Sequence, residues 1–150
     1  MRKLLVLLVL MLTPALAQSL QVTAGSPFGL SAGVRIGLVP FLLDGRVYAG
    51  VNFLTGGSSA FGAGVDALAK IPLTDVYAGA GLFYTTGPSL ALISNGGPAG
   101  GLGARGVIGT YLNVGIPLLP IGIFIEGHPM YYFGSQSFGL GGAIGVNIGF

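Results

Sequence analysis

The sequence predicts an all-β fold: a closed, antiparallel, up-and-down transmembrane β-barrel of eight strands behind a cleaved N-terminal segment. Three observations carry that prediction. Apolar and polar residues alternate with period two through seven separate stretches, the pattern of strands with two unlike faces. Charged residues make up 7% of the 150 residues and hydrophobic ones 52%, whereas an ordinary soluble domain is about 25% charged. Glycine is abundant, at 29 residues, and it sits mostly on the face that also holds the charges.

The N-terminus reads as a secretory signal peptide, residues 1–17. Arg2 and Lys3 are a positive start, Leu4 to Leu12 is an unbroken apolar run, and Ala15-Leu16-Ala17 is a small-x-small cleavage site before Gln18. The run is far shorter than the roughly 20 residues that a spanning helix needs. The exported chain is then one domain, 18–150. Without Arg2 and Lys3 it holds four basic and four acidic side chains, so no basic stripe is left for nucleic acid. There is no cysteine, which excludes a disulfide framework and thiolate chemistry.

The alternating stretches are 28–38, 47–55, 60–71, 76–85, 101–112, 121–132 and 138–150. In the first, Phe28, Leu30, Ala32, Val34, Ile36 and Leu38 oppose Gly29, Ser31, Gly33, Arg35 and Gly37. In the fourth, Val76, Ala78, Ala80, Leu82 and Tyr84 oppose Tyr77, Gly79, Gly81 and Phe83. The strand charges Arg35, Asp66, Lys70, Arg105 and Glu126 all fall on the glycine-bearing face, and Asp44, Arg46 and Asp75 read as turn residues. A water-facing sandwich carries many charges on its outer face. A glycine-rich face holding a few large side chains suits the inside of a narrow barrel. The aliphatic face then meets lipid, which requires closure so that no backbone group is left unpaired. Gly25, Gly29, Gly33 and Gly37 also fit a helix contact of small residues. Pairs such as Gly62/Gly64 and Gly79/Gly81 share one face only in a strand, so the strand reading stands.

Single-chain bacterial barrels use an even number of strands, so an eighth is expected before Phe28. Residues 20–25 alternate suitably and Ser26-Pro27 can turn the chain. This parity sends the longest break, 86–100, to the cell exterior. It also gathers Phe28, Phe53, Phe61, Tyr84, Tyr131 and Phe138 at the outer strand ends on the lipid face, an expected aromatic girdle. Phe41 and Phe150 are expected at the opposite interface.

In these features the chain resembles the small eight-stranded bacterial outer-membrane barrels of the OmpA transmembrane-domain and OmpX type. The resemblance is architectural and covers the whole exported chain. Its most specific part is the ending, Gly145-Val146-Asn147-Ile148-Gly149-Phe150, similar to the family's C-terminal assembly signal with Gly145, Ile148 and Phe150 in its key places. Ile144 departs from the family, which often has a polar residue there. The resemblance implies the outer membrane as location, and the barrel-assembly machinery and membrane lipid as partners.

The inward-facing set Arg35, Asp66, Lys70, Arg105, Glu126 and His128 is the candidate site. Charges buried in so narrow a tube must be paired, so a lumen ion-pair network is expected. Arg105 is expected opposite His128 or diagonal to Glu126, and Asn52 and Gly50 between Arg35 and Asp66. His128 and Glu126 lie two residues apart and can form a carboxylate–imidazole pair, but a hydrolytic triad also needs a serine beside His128. Ser31 is the inward-facing strand serine, and nothing in the sequence brings it near. One histidine and no cysteine make a dedicated transition-metal site unexpected. No catalysis, metal or cofactor is expected. Leu90-Ala91-Leu92-Ile93 in the long break is either an exposed contact patch or a segment that packs over the barrel mouth or extends a strand above the membrane. The expected function is a non-enzymatic, monomeric outer-membrane barrel with a structural or surface-interaction role. The alternative is a narrow pore for small or apolar solutes.

Overall fold

The structure is a computed structural model that describes residues 18–53, 59–95, 100–112 and 121–149. The predicted signal peptide 1–17, the turn 113–120 and Phe150 of the C-terminal hexapeptide lie outside the described residues. Among those described, nine strands form: β1 (Gln18–Gly25), β2 (Gly29–Val39), β3 (Leu43–Asn52), β4 (Ala60–Lys70), β5 (Val76–Thr85), β6 (Ile93–Ser94), β7 (Gly101–Leu112), β8 (Ile121–Tyr132) and β9 (Ser137–Gly149). Eight of them run up and down in the order β1-β2-β3-β4-β5-β7-β8-β9, and β1 pairs with β9 to close the cylinder. The predicted all-β class, the closed eight-stranded barrel and its antiparallel up-and-down order are observed.

Closure satisfies the wall's backbone groups internally. Ser19 faces Gly149 and Gly25 faces Ala143 across the sealing pair. β1 stops at Gly25 while β9 continues upward to Ser137, so β9 would present a bare edge there. The turn after β1 and the long loop fill it. Ser26 N donates to Gly142 O at 3.0 Å, Leu92 N donates to Leu140 O at 2.9 Å, and Ile93 and Ser94 pair with Leu140 and Gly139. The tetrad 90–93 therefore lies over the mouth and extends the wall, the second of the two readings expected for it. Leu92 and Ile93 stay exposed on the outside.

The alternation divides the side chains as expected. Leu20, Val34, Val65, Ile108, Ile125 and Ile144 point out and are exposed, while Arg35, Asp66, Arg105, Glu126 and His128 point in and are buried. Phe53, Phe61, Tyr84 and Phe138 are exposed at the end opposite the termini, and Tyr131 stacks on Phe138 with ring centroids 4.8 Å apart.

Five expectations are corrected. Phe28 is not in the outer girdle: it is 2% exposed and packs inside the mouth. Gly29, at φ +82°, interrupts the alternation there, in a backbone region that favours glycine, and β2 begins only at this residue. Next, β3 begins at Leu43 instead of residue 47, so Asp44 and Arg46 are strand residues facing inward, not turn residues. Arg46, not Asn52 or Gly50, stands between Arg35 and Asp66 in the register. Finally, Arg105 faces Met130 across β7–β8, one strand period away from the expected partner His128. The first strand is also longer than residues 20–25 and runs over Gln18–Gly25.

Candidate functional site: the charged lumen

The inner wall is built from glycines upward. A Cβ on Gly109 would lie 2.5 Å from Tyr77 Cζ, and one on Gly103 would lie 2.5 Å from Phe83 Cζ. The Phe28, Tyr48 and Phe124 side chains sit in the same way over Gly62, Gly64 and Gly145. Each large inward side chain thus occupies the space that a neighbouring strand gives up by having no side chain. Eight strands enclose little room, so every big inward residue needs such a partner.

Charges fill the middle. Asp66 on β4 accepts from Arg46 Nε at 2.7 Å and from Arg105 Nε and Nη2 at 3.0 and 2.7 Å. Glu126 on β8 accepts from Arg46 Nη1 at 2.6 Å and from Tyr77 OH at 2.7 Å, and its other oxygen lies 2.8 Å from His128 Nε2. The Arg105 guanidinium lies 4.2 Å from the centre of the Tyr48 ring. Two arginines and two carboxylates therefore close a neutral cluster across four strands, as buried charge requires. Around it a cavity of about 10 Å³ is lined in part by Gln21, Ser31, Arg46, Tyr48, Glu126 and His128. That is room for about one water.

A second cluster lies towards the termini. Arg35 Nε is 2.6 Å from Asp44 Oδ2, and Lys70 Nζ is 2.9 Å from Asp44 Oδ1. Arg35 Nη1 donates to Tyr111 OH, and the guanidinium lies 4.6 Å from the Tyr77 ring centre. Tyr77 joins the clusters, since its ring supports Arg35 and its hydroxyl donates to Glu126. This end opens into a vestibule of about 220 Å³ lined by Ser19, Arg35, Asp44, Lys70, Tyr111, Asn147 and Gly149.

The other end is plugged. Phe28, Tyr48, Phe83, Met130 and Tyr132 form one buried apolar cluster, with Ala91 of the long loop packed against it. Ser89 Oγ donates to Tyr132 OH at 2.6 Å, Asn52 Nδ2 to Pro88 O at 2.8 Å, and Leu90 N to Pro27 O at 2.7 Å. These bonds hold residues 88–92 as a cap over the rings.

All six predicted lumen residues are on the inner wall, with Lys70 at the rim, its side chain 37% exposed. The expected carboxylate–imidazole pair of Glu126 and His128 is present. Arg105 pairs with Asp66 instead of standing diagonal to Glu126. Ser31 does come near His128, to the extent that both line the central cavity. The longer strands also put Ser19 and Ser137 on the inner side. Sequence reasoning missed Asp44, Arg46, Tyr77 and Tyr111 as parts of the network. The usable signal was parity, because Asp44 and Arg46 share it with inward-facing Tyr48. Gly145 lies inward beneath the Phe124 ring and Ile148 points outward. Comparison with family models, with curated proteins and with solved structures found no match.

Proposed function

We propose that the chain is an exported, non-enzymatic barrel of the bacterial outer membrane with a structural or surface-interaction role. The observation that carries this reading is the reversed polarity of the molecule. Val65, Ile108 and Phe138 are 51%, 62% and 63% exposed, while Arg46, Asp66 and Arg105 are 5% exposed or less. A wall that shows aliphatic side chains all round suits hydrocarbon, and a closed sheet is one of the two backbone forms that hydrocarbon tolerates. The aromatic residues at the end opposite the termini fit the level of an interface. The aromatic plug, the loop cap and the neutral ion-pair cluster favour a closed barrel over the narrow pore. Gly145 and Ile148 fit the assembly signal, and membrane lipid and the assembly machinery are the partners this reading implies.

The test is expression of the whole chain in a two-membrane bacterium. The reading expects outer-membrane fractionation, β-rich circular dichroism, heat-modifiable gel migration and no conductance in planar bilayers. Recovery as a freely soluble protein refutes the membrane assignment, and steady unitary currents refute the closed one.

A further inference from the structure

Turns at the terminus end are apolar where turns are usually polar. Two of them lie side by side, 40–42 between β2 and β3 and 71–75 between β4 and β5, and Lys70 N donates to Leu42 O at 2.8 Å where they meet. Their sequences share one order, Val39-Pro40-Phe41 and Ile71-Pro72-Leu73. The connection 113–120 lies outside the described residues, and its sequence repeats that order in Ile116-Pro117-Leu118. Phe41 is 84% exposed and Leu73 is fully exposed, at φ +64° and +65°. Turn positions in this left-handed region usually take glycine, asparagine or aspartate. A phenylalanine and a leucine there are unfavourable for the backbone, and in water they are unfavourable for the side chain as well. Among the described residues nothing covers them. Their presence points to something outside the molecule.

The wall supplies the level at which these turns stand. Phe61 and Ile71 are ten residues apart, and so are Leu43 and Phe53 on β3 and Phe138 and Ile148 on β9. A strand rises about 3.3 Å per residue. At a tilt of about 40°, ten residues span about 25 Å, the height of the apolar band of a membrane barrel. Hydrocarbon that begins at the outer aromatic ring therefore ends at Leu43, Ile71 and Ile148, and Phe41 and Leu73 stand one step beyond it. The apolar surface does not stop there. Exposed Leu38 and Ile71 on the wall continue into Leu42, Phe41 and Leu73, and polar residues return only at Thr74 and the exposed Asp75. We infer that the two turns are anchors in the headgroup region of the leaflet at the terminus end, where apolar side chains settle at the boundary with the acyl chains. This end of the barrel is then seated in the membrane and does not project from it. The inference rests on the membrane reading above, and it extends the lipid contact from the strands to the turns.

The chain has no tryptophan, so a single one reports the depth of its own position. Leu73→Trp, Phe41→Trp and, at mid-wall, Val65→Trp are made in the full exported chain and refolded into phosphatidylcholine vesicles. In parallel samples part of the lipid carries bromine either near the carbonyl end or near the methyl end of its chains. Both turn reporters should emit to the blue of a free tryptophan amide and resist aqueous acrylamide several-fold better than it does. The shallow bromines should quench them more than the deep ones, and Val65→Trp should show the reverse order. Turn reporters as open to acrylamide as the free amide, and untouched by bromine, overturn the anchor, while lipid quenching of Val65→Trp leaves the membrane reading standing. Quenching of the turns chiefly by the deep bromines overturns the headgroup depth. A blue shift without bromine quenching that grows with the protein-to-lipid ratio assigns the turns to a second copy and overturns the lipid contact. Val65→Trp that no bromine quenches refutes the membrane reading itself. All three positions are exposed, and if one turn variant does not refold the other decides.

Discussion

Asp66 is the group on which the central cluster turns, and Asp66→Asn is the substitution that tests it. The carboxylate is 5% exposed and accepts three hydrogen bonds from two arginines. The amide keeps its shape but loses its charge and aims N–H groups at guanidinium donors. Arg46 retains Glu126, whereas Arg105 loses its carboxylate and keeps at most the neutral amide oxygen and the Tyr48 ring, 4.2 Å away. Removing one partner of a buried pair costs about 3–5 kcal/mol, and a desolvated cation over an aromatic ring is worth up to about 2 kcal/mol and already exists in the parent. A loss of about 3 kcal/mol is therefore expected. At a urea slope of about 1–3 kcal/mol per molar, the unfolding midpoint should fall by about 1–3 M. The chain has no tryptophan, so reversible unfolding in lipid vesicles is best followed by far-ultraviolet dichroism or gel mobility. The double variant Asp66→Leu, Arg105→Leu removes one charge of each sign and should recover most of the loss. A change below about 1 kcal/mol for Asp66→Asn, the size typical of exposed pairs, would refute the argument. The lumen charges would then be hydrated and not mutually dependent.

The same unfolding assay checks the remaining expectations. Gly109→Val drives a side chain into the Tyr77 ring and should cost about 1–3 kcal/mol, the usual penalty of overpacking, with partial rescue by Tyr77→Ala. Phe28→Ala empties a buried position in the plug and should cost about 3–5 kcal/mol. Phe61→Ala, at an outward ring, should cost far less, and equal losses would return Phe28 to the girdle. Val65→Arg on the outer wall should destabilise the barrel in bilayers by about 2–4 kcal/mol. No effect there would count against a lipid-facing wall.

Much of the fold was legible because the side-chain period of a strand is two and the faces of this sheet differ so sharply. β5, β7 and β8 begin and end where their alternation does, at Val76–Thr85, Gly101–Leu112 and Ile121–Tyr132. The start of β3 was hidden because Asp44-Gly45-Arg46 has the chemistry of a turn. Inside a barrel lumen the same polar residues are strand residues, and only their parity with Tyr48 says so. Phe28 was misplaced because counting by twos assumes an uninterrupted strand, and Gly29 breaks it. The identity of most lumen charges could be read along each strand, but their pairing could not. Pairing depends on register, and a shift of one strand period moves Arg105 from the expected His128 to Met130. Tyr77 and Tyr111 carried no polar signal of their own, since an inward tyrosine reads equally well as packing.

Sealing the cylinder joins its earliest strand to its latest, with Ser19 beside Gly149. Contacts so distant along the chain are slow to form. Until they do, the sheet has two open edges, and arginines such as Arg46 and Arg105 lack the enclosure in which their partners are strongest. Closure therefore waits on the two ends of the chain, and an incomplete sheet of this design leaves both its edge strands and its lumen charges without their partners.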